Sequence, residues 1–383
     1  MRIVFWQNCL SPHQLPYIIH LLEDARVNKV VIVAEETINK SRKDMGWDIA
    51  SFPGLDKCDV YVSPSPQQVE QLLCTNPENS YHLFSGIRGF HFVFQAFQCS
   101  LKYNLKRGLI TERPNTFAFG HANGKPLWLH RIRFLIQDRK YAPHIQAVFA
   151  MGNDAVKYFH SVWKQWDIFP FSYCTYNEEF TRSLPTTPQL SSNVHFIYVG
   201  SLSWRKAVLD ILKAQNRICK HNKANNCQIS YIGDGAERNK LETYIKTKTL
   251  TNIKLLGKKK NSEIPDILAI HDILILPSIY DGWGAVVNEA LSKGLYVICS
   301  DKCGAKELLN DERCGKVFRS RDYKQLATIM QYCLENITEI RKNKEFRQRW
   351  AQECISGKII AKYLIDCLTK EKTERPWFRK SSI

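Results

Sequence analysis

The sequence predicts an α/β protein made of two Rossmann-like domains, each a doubly wound parallel sheet, facing each other across a cleft. Three observations predict it. Short Val/Ile/Leu/Phe runs alternate along the chain with longer amphipathic stretches, and continuous apolar runs suit parallel strands buried on both faces. The alternation breaks once, at the Thr-, Ser- and Pro-rich stretch 175–193, and then restarts. The 383 residues are enough for two domains, at roughly 150 residues each.

In the first half the strand-like runs are 2–7, 29–35, 59–63, 81–86, 108–112 and 147–152, with helix-like segments such as 15–22 and 69–74 between them. In the second half they are 194–200, 227–233, 252–257, 273–277, 296–301 and 315–320. This places one domain at 1–174, a linker at 175–193 and a second domain at 194–345. Residues 346–383 read as a C-terminal helix and basic tail that cross back to the first domain. In open parallel sheets ligands bind outside the carboxyl ends of the strands, which here means the cleft.

Composition narrows the class. With 44% hydrophobic and 24% charged residues, the chain is ordinary for a globular protein and unlike a disordered one. No apolar run reaches a membrane-spanning length, and the N-terminus does not read as a signal peptide. The 13 cysteines are odd in number and scattered, without zinc-site spacing, as expected of reduced thiols in a cytoplasmic protein. The net charge of +17 favours an anionic partner. Residues 101–140 carry nine Lys/Arg against two acids, and 341–383 carry twelve against five. No recognised nucleic-acid-binding motif is present, so nucleic acid is not expected.

Three segments carry chemistry. In VGSLSWRKAVLDILKA (199–214) a strand ends at Gly200, Ser201 opens a short loop, and a helix is expected near Arg205. Its N-terminus, with Arg205 and Lys206, suits phosphate. In YIGDGAERNKLE (231–242), Gly233-Asp234-Gly235 forms another strand-to-helix loop that lets a ligand approach the backbone. In LPSIYDGWGAVVNEALSKGLYVICSD (276–301), Asp281-Gly282-Trp283-Gly284 precedes a helix containing Glu289. Two carboxylates eight positions apart suit a hydroxyl-rich ligand, because each accepts hydroxyl hydrogen bonds.

Together, in this order, these residues resemble the donor-binding half of family-4 retaining glycosyltransferases, the glycosyl transferases group 1 of GT-B fold that includes bacterial polysaccharide-biosynthesis enzymes. The resemblance is strong over 194–320. It implies that Lys206 and Arg205 neutralise the diphosphate of a UDP- or GDP-sugar and that Glu289 holds the ribose hydroxyls. It also implies that Asp281 and the amides of Trp283, Gly284 and Ala285 hold the transferred sugar. No metal and no cofactor beyond the nucleotide-sugar co-substrate are implied. Three positions depart from the pattern: Asp281 replaces the usual Glu, Ser201 a common Arg, and Ala207 a frequent Gly.

The acceptor half is less legible. The family often has a His at the end of a central strand of the first domain; here Glu112 stands at that place, a candidate general base or a structural carboxylate. His121 is a second catalytic candidate, and His13, after the first strand, a residue of the cleft. Residues 125–141 mix Trp128, Leu129, Ile132 and Leu135 with Arg131, Arg133, Arg139 and Lys140. That pattern suits either a helix lying on an anionic membrane surface or an amphipathic core helix. The expectation is a retaining glycosyltransferase acting on a glycan or lipid-linked glycan, peripheral on the inner face of the membrane. A nucleotide-sugar epimerase of the same fold and a non-catalytic glycosyltransferase-like binding protein are the alternatives.

Overall fold

A computed structural model describes residues 1–43, 52–114, 127–175, 193–220 and 226–378. His121 and nearly all of the proposed linker lie outside these residues. The chain forms two compact units. The first contains seven parallel strands: β1 (Arg2–Cys9), β2 (Lys29–Glu36), β3 (Asp59–Val62), β4 (Ser80–Phe84), β5 (Lys106–Thr111), β6 (Ala147–Met151) and β7 (Asp167–Phe171). Their order is β3-β2-β1-β4-β5-β6-β7. β1, β4 and β6 are buried on both faces, which is why their sequences read as unbroken apolar runs. Trp6 on β1 stacks on Phe84 of β4 at 5.9 Å. Its indole N–H donates to Nδ1 of buried His82 at 3.1 Å. Burial, reinforced by Arg2 and Arg107, pushes the His82 imidazole down to about 3, so it stays neutral.

The sequence reading missed β7. Pro170 interrupts its apolar pattern, but β7 is an edge strand, where a missing N–H is tolerated. Ser356–Pro376 also belongs to this unit. Its helix, Gly357–Leu368, packs on the helix Leu15–His20. A Cβ on Gly357 would lie 2.5 Å from the Pro16 carbonyl oxygen. Arg26 pairs with Asp366 at 2.8 Å, and the Tyr363 hydroxyl donates to the Pro170 carbonyl at 3.0 Å.

The second unit contains β8 (Val194–Val199), β9 (Cys227–Ile232), β10 (Ile253–Leu255), β11 (Ile273–Leu276), β12 (Tyr296–Ser300) and β13 (Gly315–Phe318). All are parallel, in the order β10-β9-β8-β11-β12-β13. The winding direction reverses between β8 and β11. A crevice opens at such a reversal beyond the carboxyl ends of the strands. It receives the loops after β8 and β11, the two that carry Lys206 and Asp281.

Candidate functional site

Four loops converge at the carboxyl edge of the second sheet, tied together by backbone hydrogen bonds. Gly200 N–H donates to the Ile232 carbonyl at 2.9 Å, Leu202 to Asp234 at 2.9 Å, and Gly233 to Gly257 at 2.8 Å. Gly233 has φ +128°, and a Cβ there would overlap the Gly200 carbonyl oxygen, so only glycine lets the loops after β8 and β9 touch. Asp234 turns inward on its own loop, accepting from the Gly235 N–H at 2.8 Å. The Tyr198 hydroxyl donates to the Ser201 carbonyl at 2.8 Å.

The helix expected near Arg205 starts later. Trp204–Lys206 is a 3₁₀ turn, Ala207 is left-handed at φ +50°, and the α-helix runs Leu209–Lys220. A left-handed residue cannot continue a right-handed helix, so Ala207 separates the turn from it. A glycine at this position would adopt that conformation without strain. The first turn of the α-helix carries Asp210, which is buried and paired with Lys213 and Arg321 at 3.3 Å each. Lys206 thus reaches the site from a tight turn, not from a helix N-terminus.

The structure brings Lys206, Asp281 and Arg205 together. The Lys206 ammonium pairs with the Asp281 carboxylate, with side-chain exposures of 14% and 13%. Ser278 Oγ lies 3.5 Å from the same carboxylate. Arg205 Nη1 donates to the Tyr280 carbonyl at 2.6 Å, and the Ile279 N–H donates to the Arg205 carbonyl at 2.8 Å. Arg205 therefore braces the loop that presents Asp281 and keeps further N–H donors for a ligand. The Trp283 side chain is fully buried, its indole N–H donating to Asn288 Oδ1 at 2.7 Å. Its carbonyl accepts from the Ala305 N–H at 2.8 Å and from the Cys303 thiol at 2.9 Å. Sequence reasoning missed Asn288 and Cys303, which fix the loop rather than face it. Gly282, Gly284 and Ala285 lie on the same loop and are half-buried.

Glu289 sits one turn inside the helix Val286–Ser292. Desolvation pushes its carboxyl up to about 7. Its ordinary value in an unfolded chain is near 4.5, so the folded protein holds the proton more tightly. The resulting stability is full below about 4.5 and is lost as pH rises through about 7, a difference of about 3 kcal/mol. Glu289→Gln removes this titration. Its melting temperature, compared with wild type from pH 5 to pH 8, is expected to fall less steeply. Parallel curves would show that Glu289 does not titrate in this range.

In the first unit the reversal lies between β1 and β4. A cavity of about 280 Å³ opens beyond β4 and β5, lined among others by Gly86, Arg88, Thr111, Glu112, His130 and Asp138. Arg88 pairs with Asp138 and lies 4.4 Å from the Phe94 ring centre. The Tyr173 hydroxyl donates to Glu112 Oε1 at 3.3 Å, and the Tyr173 ring centre lies 6.3 Å from that of His13. Two sequence candidates therefore meet at Tyr173, a residue just past the unread strand β7. Next to the cavity, the helix Leu127–Arg133 and the π-helical turn Phe134–Asp138 turn apolar side chains outward. Trp128 is 56% exposed and Ile136 77%, with Leu129, Ile132 and Leu135 also exposed. Only Phe134 of these two elements is buried, so the core-helix reading of 125–141 does not hold for them. Among the described residues no helix is long and apolar enough to cross a membrane. Nor, among them, is any group of three or more His, Cys, Asp and Glu placed to hold a metal ion.

Comparison with known proteins points to this second unit. The family model for glycosyl transferases group 1 matches residues 188–354. Alpha-D-kanosaminyltransferase of Streptomyces kanamyceticus is 24% identical over 157 residues, covering 41% of this chain and 38% of that protein. UDP-Gal:alpha-D-GlcNAc-diphosphoundecaprenol alpha-1,3-galactosyltransferase of Escherichia coli is 30% identical over 127 residues, 33% of each chain. The chain thus spans less than two-fifths of the length of these curated relatives. The likeness to a solved structure of Anabaena Alr3699/HepE in complex with UDP runs through both units. It covers 97% of this chain and 100% of that one at a TM-score of 0.69, with 16% identity, and so shows a shared GT-B fold. Residues 188–354 thus carry the likeness to glycosyl transferases group 1, and the fold likeness extends through both units.

Proposed function

We propose that this protein is a retaining glycosyltransferase that moves a sugar from a UDP- or GDP-sugar to a hydroxyl of a glycan or lipid-linked glycan. The observation that carries this reading is the pairing of Lys206 with Asp281 at the sheet reversal, with Glu289 one turn into the following helix. A diphosphate takes the Lys206 ammonium from Asp281, and the freed carboxylate then accepts hydroxyls of the transferred sugar. Glu289 accepts the ribose hydroxyls. Lys206 and the remaining N–H groups of Arg205 offset the charge that grows on the departing nucleoside diphosphate. In this reading no metal or other cofactor is needed.

The acceptor enters the first unit at the Glu112 cavity, where Glu112 takes or orients the proton of the attacking hydroxyl. The outward apolar side chains Trp128, Leu129, Ile132, Leu135 and Ile136, beside Arg131, Arg133, Arg139 and Lys140, rest on an anionic membrane surface at its inner face. Such a helix brings a lipid-linked acceptor to the cavity.

A panel of UDP- and GDP-sugars tests the reading. One donor is expected to raise the melting temperature and to be slowly hydrolysed, the released sugar keeping its anomeric configuration. Binding to anionic vesicles, reversed by salt, is expected alongside. Conversion of the donor to its epimer would identify an epimerase. Stable binding without any turnover would identify a binding protein, and equal partition to neutral vesicles would remove the membrane contact.

A further inference from the structure

The second unit holds another cavity, of about 450 Å³, and none of the donor-loop residues lines it. Its walls are Lys213, Asn216, Arg217, Lys220, Tyr244 and Tyr323. The sequence spacing explains how it forms. Lys213, Arg217 and Lys220 are four and three residues apart on the helix Leu209–Lys220, so they share one stripe. Like charges at this spacing repel one another along the helix. Tyr244 comes from the helix Arg238–Thr247, and Tyr323 opens the helix Tyr323–Glu335. Both helices pack on the first.

The charges in this cavity are unbalanced. Asp210, one turn before Lys213 on the same helix, is buried and already engaged by Lys213 and Arg321. Among the described residues no carboxylate pairs with Arg217 or Lys220. On one aromatic wall, Lys213 Nζ lies 5.8 Å from the Tyr323 ring centre. Cations that present several N–H donors, beside two tyrosine side chains, match a ligand with a phosphate at one end and a hydroxyl-bearing ring at the other. The volume admits a phosphorylated monosaccharide.

We infer that this cavity is a second ligand site, separate from the donor loops, that binds a small phosphorylated sugar through Arg217, Lys220 and Lys213, with Tyr244 and Tyr323 holding the sugar ring. This inference does not rest on the glycosyltransferase reading. The test uses the full chain, titrated by calorimetry with glucose 6-phosphate, inorganic phosphate and glucose, each with and without saturating UDP. Glucose 6-phosphate is expected to bind whether or not UDP is present, more tightly than inorganic phosphate, while glucose does not bind. An Arg217→Ala/Lys220→Ala variant is expected to lose at least tenfold in glucose 6-phosphate affinity and to keep the wild-type UDP affinity. Displacement of glucose 6-phosphate by UDP would overturn the proposal, because the probe would then be reading the donor loops. So would unchanged affinity in the double variant, or no binding at all. Equal binding of inorganic phosphate would overturn the part played by the sugar. If UDP itself fails to bind but glucose 6-phosphate is held and lost in the variant, this site stands and the donor-site reading falls.

Discussion

Lys206→Ala is expected to weaken binding of a free nucleoside diphosphate by about 1.5–3 kcal/mol, the scale of a hydrogen bond to a charged group, or roughly ten- to 150-fold. Lys206 is the cation that reaches the reversal between β8 and β11, and its ammonium is held there by Asp281. The substitution has a second consequence. It leaves the Asp281 carboxylate, only 13% exposed, without its cation. Breaking one partner of a largely buried pair costs about 3–5 kcal/mol at the buried limit, so the unliganded protein is expected to lose stability as well. The two effects separate in a double substitution. Lys206→Ala/Asp281→Ala should recover much of the stability and none of the nucleotide affinity. Calorimetry and denaturant unfolding on both variants check this. Unchanged nucleotide affinity in folded Lys206→Ala would remove Lys206 from the site.

Gly233→Ala is expected to lose about 3 kcal/mol or more of stability and to abolish nucleotide binding. At φ +128° a side chain is strained wherever it points, and the new Cβ would strike the Gly200 carbonyl, which belongs to the fixed backbone. The loops after β8 and β9 would have to part, breaking the Gly200–Ile232 and Leu202–Asp234 hydrogen bonds and displacing the turn that carries Lys206. Gly257→Ala is the control. Gly257 also has a positive φ, +69°, but a Cβ there meets nothing within 4 Å, so only the conformational cost of about 1–2 kcal/mol remains. Denaturant midpoints for the two variants should therefore differ clearly. Equal losses would show that the contact between loops is not what requires glycine.

What could be read in the sequence follows from what each feature depends on. Strands buried on both faces announce themselves as apolar runs, so β1, β2, β4 and β6 were legible from composition alone. β7 was not, because an edge strand tolerates Pro170 and a half-polar pattern. The loops after β8, β9 and β11 were legible as loops because Gly200, Gly233 and Pro277 each close an apolar run. The helix start near Arg205 was misplaced because the left-handed turn at Ala207 is held by tertiary packing, and alanine gives no local warning of it. The Lys206–Asp281 pair joins residues 75 positions apart, and the Tyr173–Glu112 bond residues 61 apart. Each depends on the parallel sheet bringing the ends of non-adjacent strands together. The outward face of Leu127–Arg133 carried a helical pattern equally suited to a core or to a surface, and only burial decides between them.

In the proposed reaction the loops after β8 and β11 hold a nucleotide sugar, its parts divided between Glu289 and Asp281. The most direct measurement is calorimetric titration of UDP or GDP, and of the matching nucleotide sugar, into wild type, Glu289→Gln and Asp281→Asn. If Glu289 holds ribose, Glu289→Gln weakens the bare nucleotide and the sugar nucleotide alike. If Asp281 contacts only the transferred sugar, Asp281→Asn leaves bare-nucleotide affinity at least as high as in wild type, since the diphosphate no longer competes with a carboxylate for Lys206. The same substitution lowers turnover. Equal loss of bare-nucleotide affinity in both variants, each still folded, would contradict the account.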